Sequence, residues 1–94
     1  MAAVARKNLS TVGDALIQAT GLAITVNGQP VALLGNLVDS HGDSPHNKAT
    51  LPVGSLAATI NGVAVVAEGH VASCVHVVED GDPAMDIVPL LVGP

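Results

Sequence analysis

Residues 21–35 read GLAITVNGQPVALLG, and residues 55–69 read SLAATINGVAVVAEG. The two segments match at Leu22/Leu56, Ala23/Ala57, Thr25/Thr59, Asn27/Asn61, Gly28/Gly62, Val31/Val65 and Gly35/Gly69, at a constant offset of 34 residues. In each, a run of aliphatic and β-branched residues leads into Asn-Gly and a second run follows. A type I′ turn needs positive φ at both central residues, which Asn-Gly supplies at low cost, and its twist matches that of paired strands. Each segment is therefore expected to fold as a tight hairpin, with the second strands ending at Gly35 and Gly69. A common helical repeat has the same period. Asn-Gly in mid-run and the density of Gly, Pro and β-branched residues argue against it. No 12-residue segment carries a convincing 3.6-residue period, so the expected fold is all-β.

Outward from the repeat, residues 87–93 (IVPLLVG) read as a third unit cut short, at about 86–93. One further period places Leu90 on Leu56 and Leu22. This strand would lack a hairpin partner, and Pro89 marks it as an edge. Residues 38–51 (VDSHGDSPHNKATL) and 79–83 (EDGDP) are polar, Gly- and Pro-bearing connections. Residues before Val12 show no pattern. At 94 residues the chain is one domain.

Composition says what must hold that domain together. The chain has no Phe, Tyr or Trp, the side chains that bring the largest buried areas. A core of Ala, Val, Leu and Ile in so short a chain is marginal without a staple. One cysteine, Cys74, excludes an internal disulfide. A metal, a partner subunit or both remain. The net charge of −5 and the lack of aromatics exclude nucleic-acid binding, which needs cations and stacking faces. No apolar run approaches the roughly 18–20 residues that span a bilayer. Arg6 and Lys7 are not followed by the apolar stretch of a signal peptide. The chain is expected to be made in the cytoplasm and to leave it, if at all, by a dedicated route.

The metal-type side chains are confined to two connections. His41 and His46 follow the first hairpin; His70, Cys74 and His76 follow the second. If the hairpins pack side by side, both connections emerge at one end and the side chains meet. Neutral imidazole and thiolate are the usual ligands of tetrahedral zinc, and four of them close its sphere. A single loop histidine is ordinarily just solvated, and a lone buried cysteine is a small hydrophobe. His70 keeps that plain reading, because it follows Gly69 as Asn36 follows Gly35 and so sits at a turn position. An open, hydrolytic zinc with Asp39, Asp43, Glu79 or Asp80 as general base is the alternative enzyme reading. A metal-free β interaction module is the third reading. Four good ligands favour the closed site, and no nucleophile motif or phosphate loop is present.

These residues resemble the PAAR-repeat proteins in a phage-like form. The resemblance lies in Ser40-His41-Gly42, Pro45-His46, Thr50, Gly54-Ser55, Ile60-Asn61-Gly62, Gly69, Ser73-Cys74 and His76, with Pro30-Val31-Ala32 after the first turn, and it runs from about Gly13 to the end. Three departures accompany it. Val63-Ala64-Val65 stands where the family usually has proline. Gly35-Asn36 and Gly69-His70 replace Gly-Asp, which Gly13-Asp14 keeps. A common N-terminal His-Gly-Gly, whose histidine is a ligand in some members, is absent.

The resemblance implies a small cone of repeated hairpins with pseudo-threefold symmetry and a structural Zn2+ at its apex. Carried over residue by residue, the ligands are His41, His46, Cys74 and His76. It implies a structural protein and no enzyme: the membrane-piercing spike tip of a contractile injection system, whether phage tail and baseplate or type VI secretion system. The partner implied is a trimeric β-helical spike bound through the base of the cone, one monomer on a trimer. There would be no stable membrane insertion, a separate cargo or effector could attach, and the destination would be a virion tail tip or a secreted spike.

Overall fold

Both Asn-Gly segments fold as hairpins, and their registers are the same. The computed structural model describes residues 2–44, 46–88 and 91–92. Its strands are β1 (Ala2–Val4), β2 (Thr11–Val12), β3 (Ala15–Leu16), β4 (Gly21–Val26), β5 (Gln29–Val31), β6 (Gly54–Ile60), β7 (Val63–Val65), β8 (Val78–Glu79), β9 (Asp82–Ile87) and β10 (Leu91–Val92). No helix occurs among the described residues. The strands form four small sheets, β1-β9, β10-β6-β7, β3-β2-β8 and β4-β5. In β4-β5 the partners are Gly21↔Val31, Thr25↔Pro30 and Val26↔Gln29. In β6-β7 they are Ser55↔Val65, Thr59↔Ala64 and Ile60↔Val63, each 34 residues further on. Asn27 and Asn61 sit at φ 52° and 50°, and Gly28 and Gly62 both at 80°, as a type I′ turn requires.

A third pairing corrects the expectation for the C-terminal stretch. β9 pairs with β1 through Asp82↔Val4, Asp86↔Ala3 and Ile87↔Ala2. This is the hairpin register again, with Asp82 in the place of Gly21 and Ser55, and Val4 in that of Val31 and Val65. The third strand is therefore at 82–87 rather than about 86–93, and it has a partner. That partner lies in the N-terminal stretch where the sequence showed no pattern. The step from Ser55 to Asp82 is shorter than the 34-residue period because the connection after the second hairpin is shorter. β10 runs along the other edge of β6, with Leu91↔Ser55 and Val92↔Gly54. The expected places of Leu90 and Pro89 lie outside the described residues.

Beyond each hairpin the chain crosses onto the next one. Ala5 N–H donates to Val66 O, Val66 N–H to Ala32 O, and Ala32 N–H to Ala5 O, each at 2.9 Å. A second set follows, from Lys7 N–H to Pro30 O at 3.0 Å, and from Leu34 to Ala64 and Glu68 to Ala3 at 2.8 Å. These bonds explain why β5 and β7 stop at Val31 and Val65 and do not run on to Gly35 and Gly69. From the next residue onward, the backbone is paired with a neighbouring unit. One core lies under the hairpins, built on Val4, Val26, Val31, Val65 and Ile87. The other lies beyond the crossing, with Val12, Val38, Leu51, Val66, Cys74 and Val78 among its members. At the crossing itself, three mutually bonded backbones carry two alanines and a valine, all fully buried.

Past the crossing each unit bends and makes a second, shorter excursion. The bends follow left-handed residues, Asn8, Gly35 and Gly69, at φ 65°, 91° and 95°. Each is fastened by a side-chain acceptor: Ser10 Oγ takes Arg6 N–H, Asn36 Oδ1 takes Leu33 N–H, and His70 Nδ1 takes Ala67 N–H, at 3.0, 2.9 and 3.1 Å. The excursions are paired at Thr11↔Leu16, Leu37↔Thr50 and Val71↔Val77. They lie side by side, since Asp39 N–H donates to Leu16 O and Ser73 N–H to Thr50 O, both at 2.9 Å.

Candidate metal centre

Two of the three excursion tips carry histidine and cysteine. In the first, His46 N–H donates to Asp43 O at 2.7 Å and His41 N–H to His46 O at 3.1 Å. The loop is thereby folded back on itself, and the two rings come to 5.0 Å between centroids. In the second, Val75 N–H donates to Ala72 O at 3.0 Å and Ala72 N–H to His76 O at 2.9 Å. Val75 at the tip has φ 64°, a left-handed conformation that a β-branched residue adopts only under constraint. That turn brings Cys74 and His76, its two neighbours, to the same cluster.

One nitrogen or sulfur atom from each of His41, His46, Cys74 and His76 lies within 4.8 Å of the others. His41 Nε2 is 3.6 Å from Cys74 Sγ and 3.3 Å from His76 Nδ1. In a tetrahedral zinc site, bond lengths of about 2.0–2.1 Å to nitrogen and 2.3 Å to sulfur put two nitrogens about 3.3 Å apart and a nitrogen and sulfur about 3.6 Å apart. Those two separations therefore match such a site. The remaining groups fit as well. His41 Nδ1 lies 3.0 Å from Asp39 O; as a donor there it leaves the Nε2 lone pair facing the cluster, the usual outer-shell arrangement of a ligating histidine. His46 Nδ1 is buried with no hydrogen-bond partner among the described residues. Cys74 is a free, fully buried cysteine. The group can hold one metal ion through four protein ligands.

The other candidates stand apart from it. His70 is buried, and burial pushes its pKa down. Its Nδ1 fastens a bend, as Asn36 does in the preceding unit. Asn36 Nδ2 also donates to Thr20 Oγ1 at 2.9 Å; Gly54 occupies the place of Thr20 in the second unit, and His70 Nε2 has no partner among the described residues. Of the carboxylates weighed as a general base, Asp39 Oδ1 accepts from Gln18 Nε2 at 2.9 Å and Asp80 Oδ2 from Thr11 Oγ1 at 3.3 Å. No carboxylate belongs to the four-residue group. The third tip, Gly13-Asp14, brings no ligand but lies against the rings of His76 and His41. The sequence hid this, because a Gly-Asp turn has its own backbone reason for glycine.

No family model matches the chain, and no curated protein matches it by sequence.

Proposed function

We propose that this chain is the tip of a contractile injection machine, one copy seated on the blunt end of a trimeric β-helical spike. One structural zinc ion would be held by His41, His46, Cys74 and His76. The observation that carries the proposal is the cyclic set of 2.9 Å hydrogen bonds among Ala5, Ala32 and Val66. A monomer whose three units follow one another around a centre offers a trimer three corresponding contact faces. Leu22, Leu56 and Pro83 occupy matching positions in the three hairpins, and all three are exposed. Leu22 and Leu56 are 75% and 59% exposed, an apolar set that a partner would cover. On this reading the hairpins are the base of a cone and the metal its apex. Seating the base on the spike would also cap its strand edges.

Four protein ligands would leave zinc no open position for water or substrate, so on this reading the site is structural and the metal takes no part in catalysis. Such a metal contributes directly to folding, which a core without aromatic residues needs. The resemblance to PAAR-repeat proteins points the same way.

Purified tip mixed with the trimeric β-helical spike of its own machine is expected to elute as one tip per three spike chains. The double variant Leu22→Asp, Leu56→Asp is expected to elute alone. Zinc-loaded, folded wild type that never joins the spike would refute the tip reading.

A further inference from the structure

Only two of the three excursions bring ligands to the cluster; the third, β2-β3, brings the turn Gly13-Asp14. We propose that Gly13 is a positioning residue of the metal centre, its bare Cα letting this turn close against His76 and His41 and hold their rings where they can ligate. This rests on the metal reading above.

A Cβ at residue 13 would collide with His76 Nδ1 and stand 2.8 Å from His76 Cε1 and 2.7 Å from His41 Cδ2. All three are well inside van der Waals contact. The nearest of them, His76 Nδ1, is the atom that stands 3.3 Å from His41 Nε2 within the cluster. A methyl group here cannot be accommodated with both rings in place. The obstructing atoms belong to side chains, so the chain can yield by swinging the imidazoles away. That motion spares the fold and spoils the site.

Glycine at this position also has a backbone reason, and the two reasons can be separated. Gly13 has φ +56°, and a left-handed φ strains most other residues, alanine included. Gly28 has φ +80° in a comparable two-residue turn, with nothing within 4 Å of where its Cβ would be. Gly28→Ala thus carries the strain alone, and Gly13→Ala carries the strain and the collision.

Metal-free wild type, Gly13→Ala and Gly28→Ala would be titrated with Co2+, read by its ligand-field absorption, and with Zn2+ against a chromophoric chelator. Thermal midpoints would be measured without metal. Both variants are expected to lose similar metal-free stability. Gly28→Ala should bind both ions as wild type does. Gly13→Ala should bind about 10–100-fold more weakly, the range for loss of an outer support, with a changed cobalt spectrum. Wild-type affinity and spectrum in Gly13→Ala would overturn the proposal. If that variant does not fold, Gly13→Asn, whose side chain tolerates a left-handed φ and still places a Cβ against the two rings, replaces it, and the same two outcomes apply. A wild type that binds neither ion would overturn the metal reading and this inference together; binding by wild type with no effect at Gly13 would overturn this inference alone.

Discussion

Moving the one valine around the central ring tests whether the three units meet at a common centre. Ala5, Ala32 and Val66 are fully buried, belong to one core and bond to one another in a cycle. Val66→Ala removes two methyl groups, about 0.8 kcal/mol each in transfer, and leaves a cavity, for a total loss of about 2–3 kcal/mol. Ala32→Val forces the same volume into a filled site and costs about 1–3 kcal/mol. Were the positions independent, the double variant would lose about 3–6 kcal/mol. If they share one centre, the double variant conserves volume and loses less than about 1.5 kcal/mol. The coupling energy would then be at least about 1.5 kcal/mol. Urea unfolding of the four proteins at one fixed metal content reads this directly. In a chain of this length each 1 kcal/mol is also about 4–8 °C in Tm. A double variant whose loss equals the sum of the single losses within about 0.5 kcal/mol would refute the shared centre.

Three further outcomes follow from the same geometry. Stripping metal with a chelator should lower Tm sharply, and elemental analysis of the untreated protein should find one zinc per chain; identical melts with and without chelator would remove the zinc. His70→Asn should keep the bend closed as Asn36 does and cost less than His70→Ala, which leaves the Ala67 N–H unpaired at a cost of about 1–3 kcal/mol. The pKa of His70 is depressed in the fold, so the unfolded chain binds the proton first and stability falls as pH drops below 6.5. In His70→Asn that part of the pH slope should vanish. Asp82 is the opposite charge type: the Ala84 N–H, then the Arg6 and Asn27 side chains, hold its pKa below the ordinary 3.8. Its contribution is present above that value and lost as pH falls through the folded one. Asp82→Asn should flatten the acid limb of Tm against pH, and an unchanged limb would contradict the assignment.

The two Asn-Gly hairpins were legible because turn chemistry is local: both residues of each turn carry the positive φ that Asn and Gly tolerate. The crowding of His41, His46, Cys74 and His76 was legible because residue type announces metal chemistry, and two corresponding connections of a repeat emerge together. The third hairpin was hidden. Its strands, Asp82–Ile87 and Ala2–Val4, share no turn, and a shorter connection puts β9 off the 34-residue period. The crossing bonds were hidden too, since a backbone N–H meeting a backbone carbonyl leaves no side-chain signature. Their cost to the reading was specific: β5 and β7 were drawn too long, to Gly35 and Gly69.

The hidden hairpin explains the one ion pair among the described residues, between half-buried Arg6 and buried Asp82. In β4-β5 and β6-β7 a two-residue turn joins the strands, so pairing them closes a loop of about ten residues. The third pairing joins the chain ends, and Arg6 and Asp82 are 76 residues apart. Closure entropy grows by about 0.6 kcal/mol per doubling of the loop, so this seam costs about 2 kcal/mol more than either local hairpin. Here alone the residue at the head of the first strand is charged: Asp82 stands where the other units have Gly21 and Ser55. Its Oδ1 accepts Ala84 N–H at 2.9 Å, as Ser55 Oγ accepts Ala57 N–H at 3.1 Å, so both serve the same bulge. Its Oδ2 does what serine could not, accepting Arg6 Nε at 2.8 Å from the N-terminal end and Asn27 Nδ2 at 2.7 Å from the neighbouring turn. One carboxylate thus ties together both ends of the chain and an adjacent hairpin, at the seam where connectivity does least.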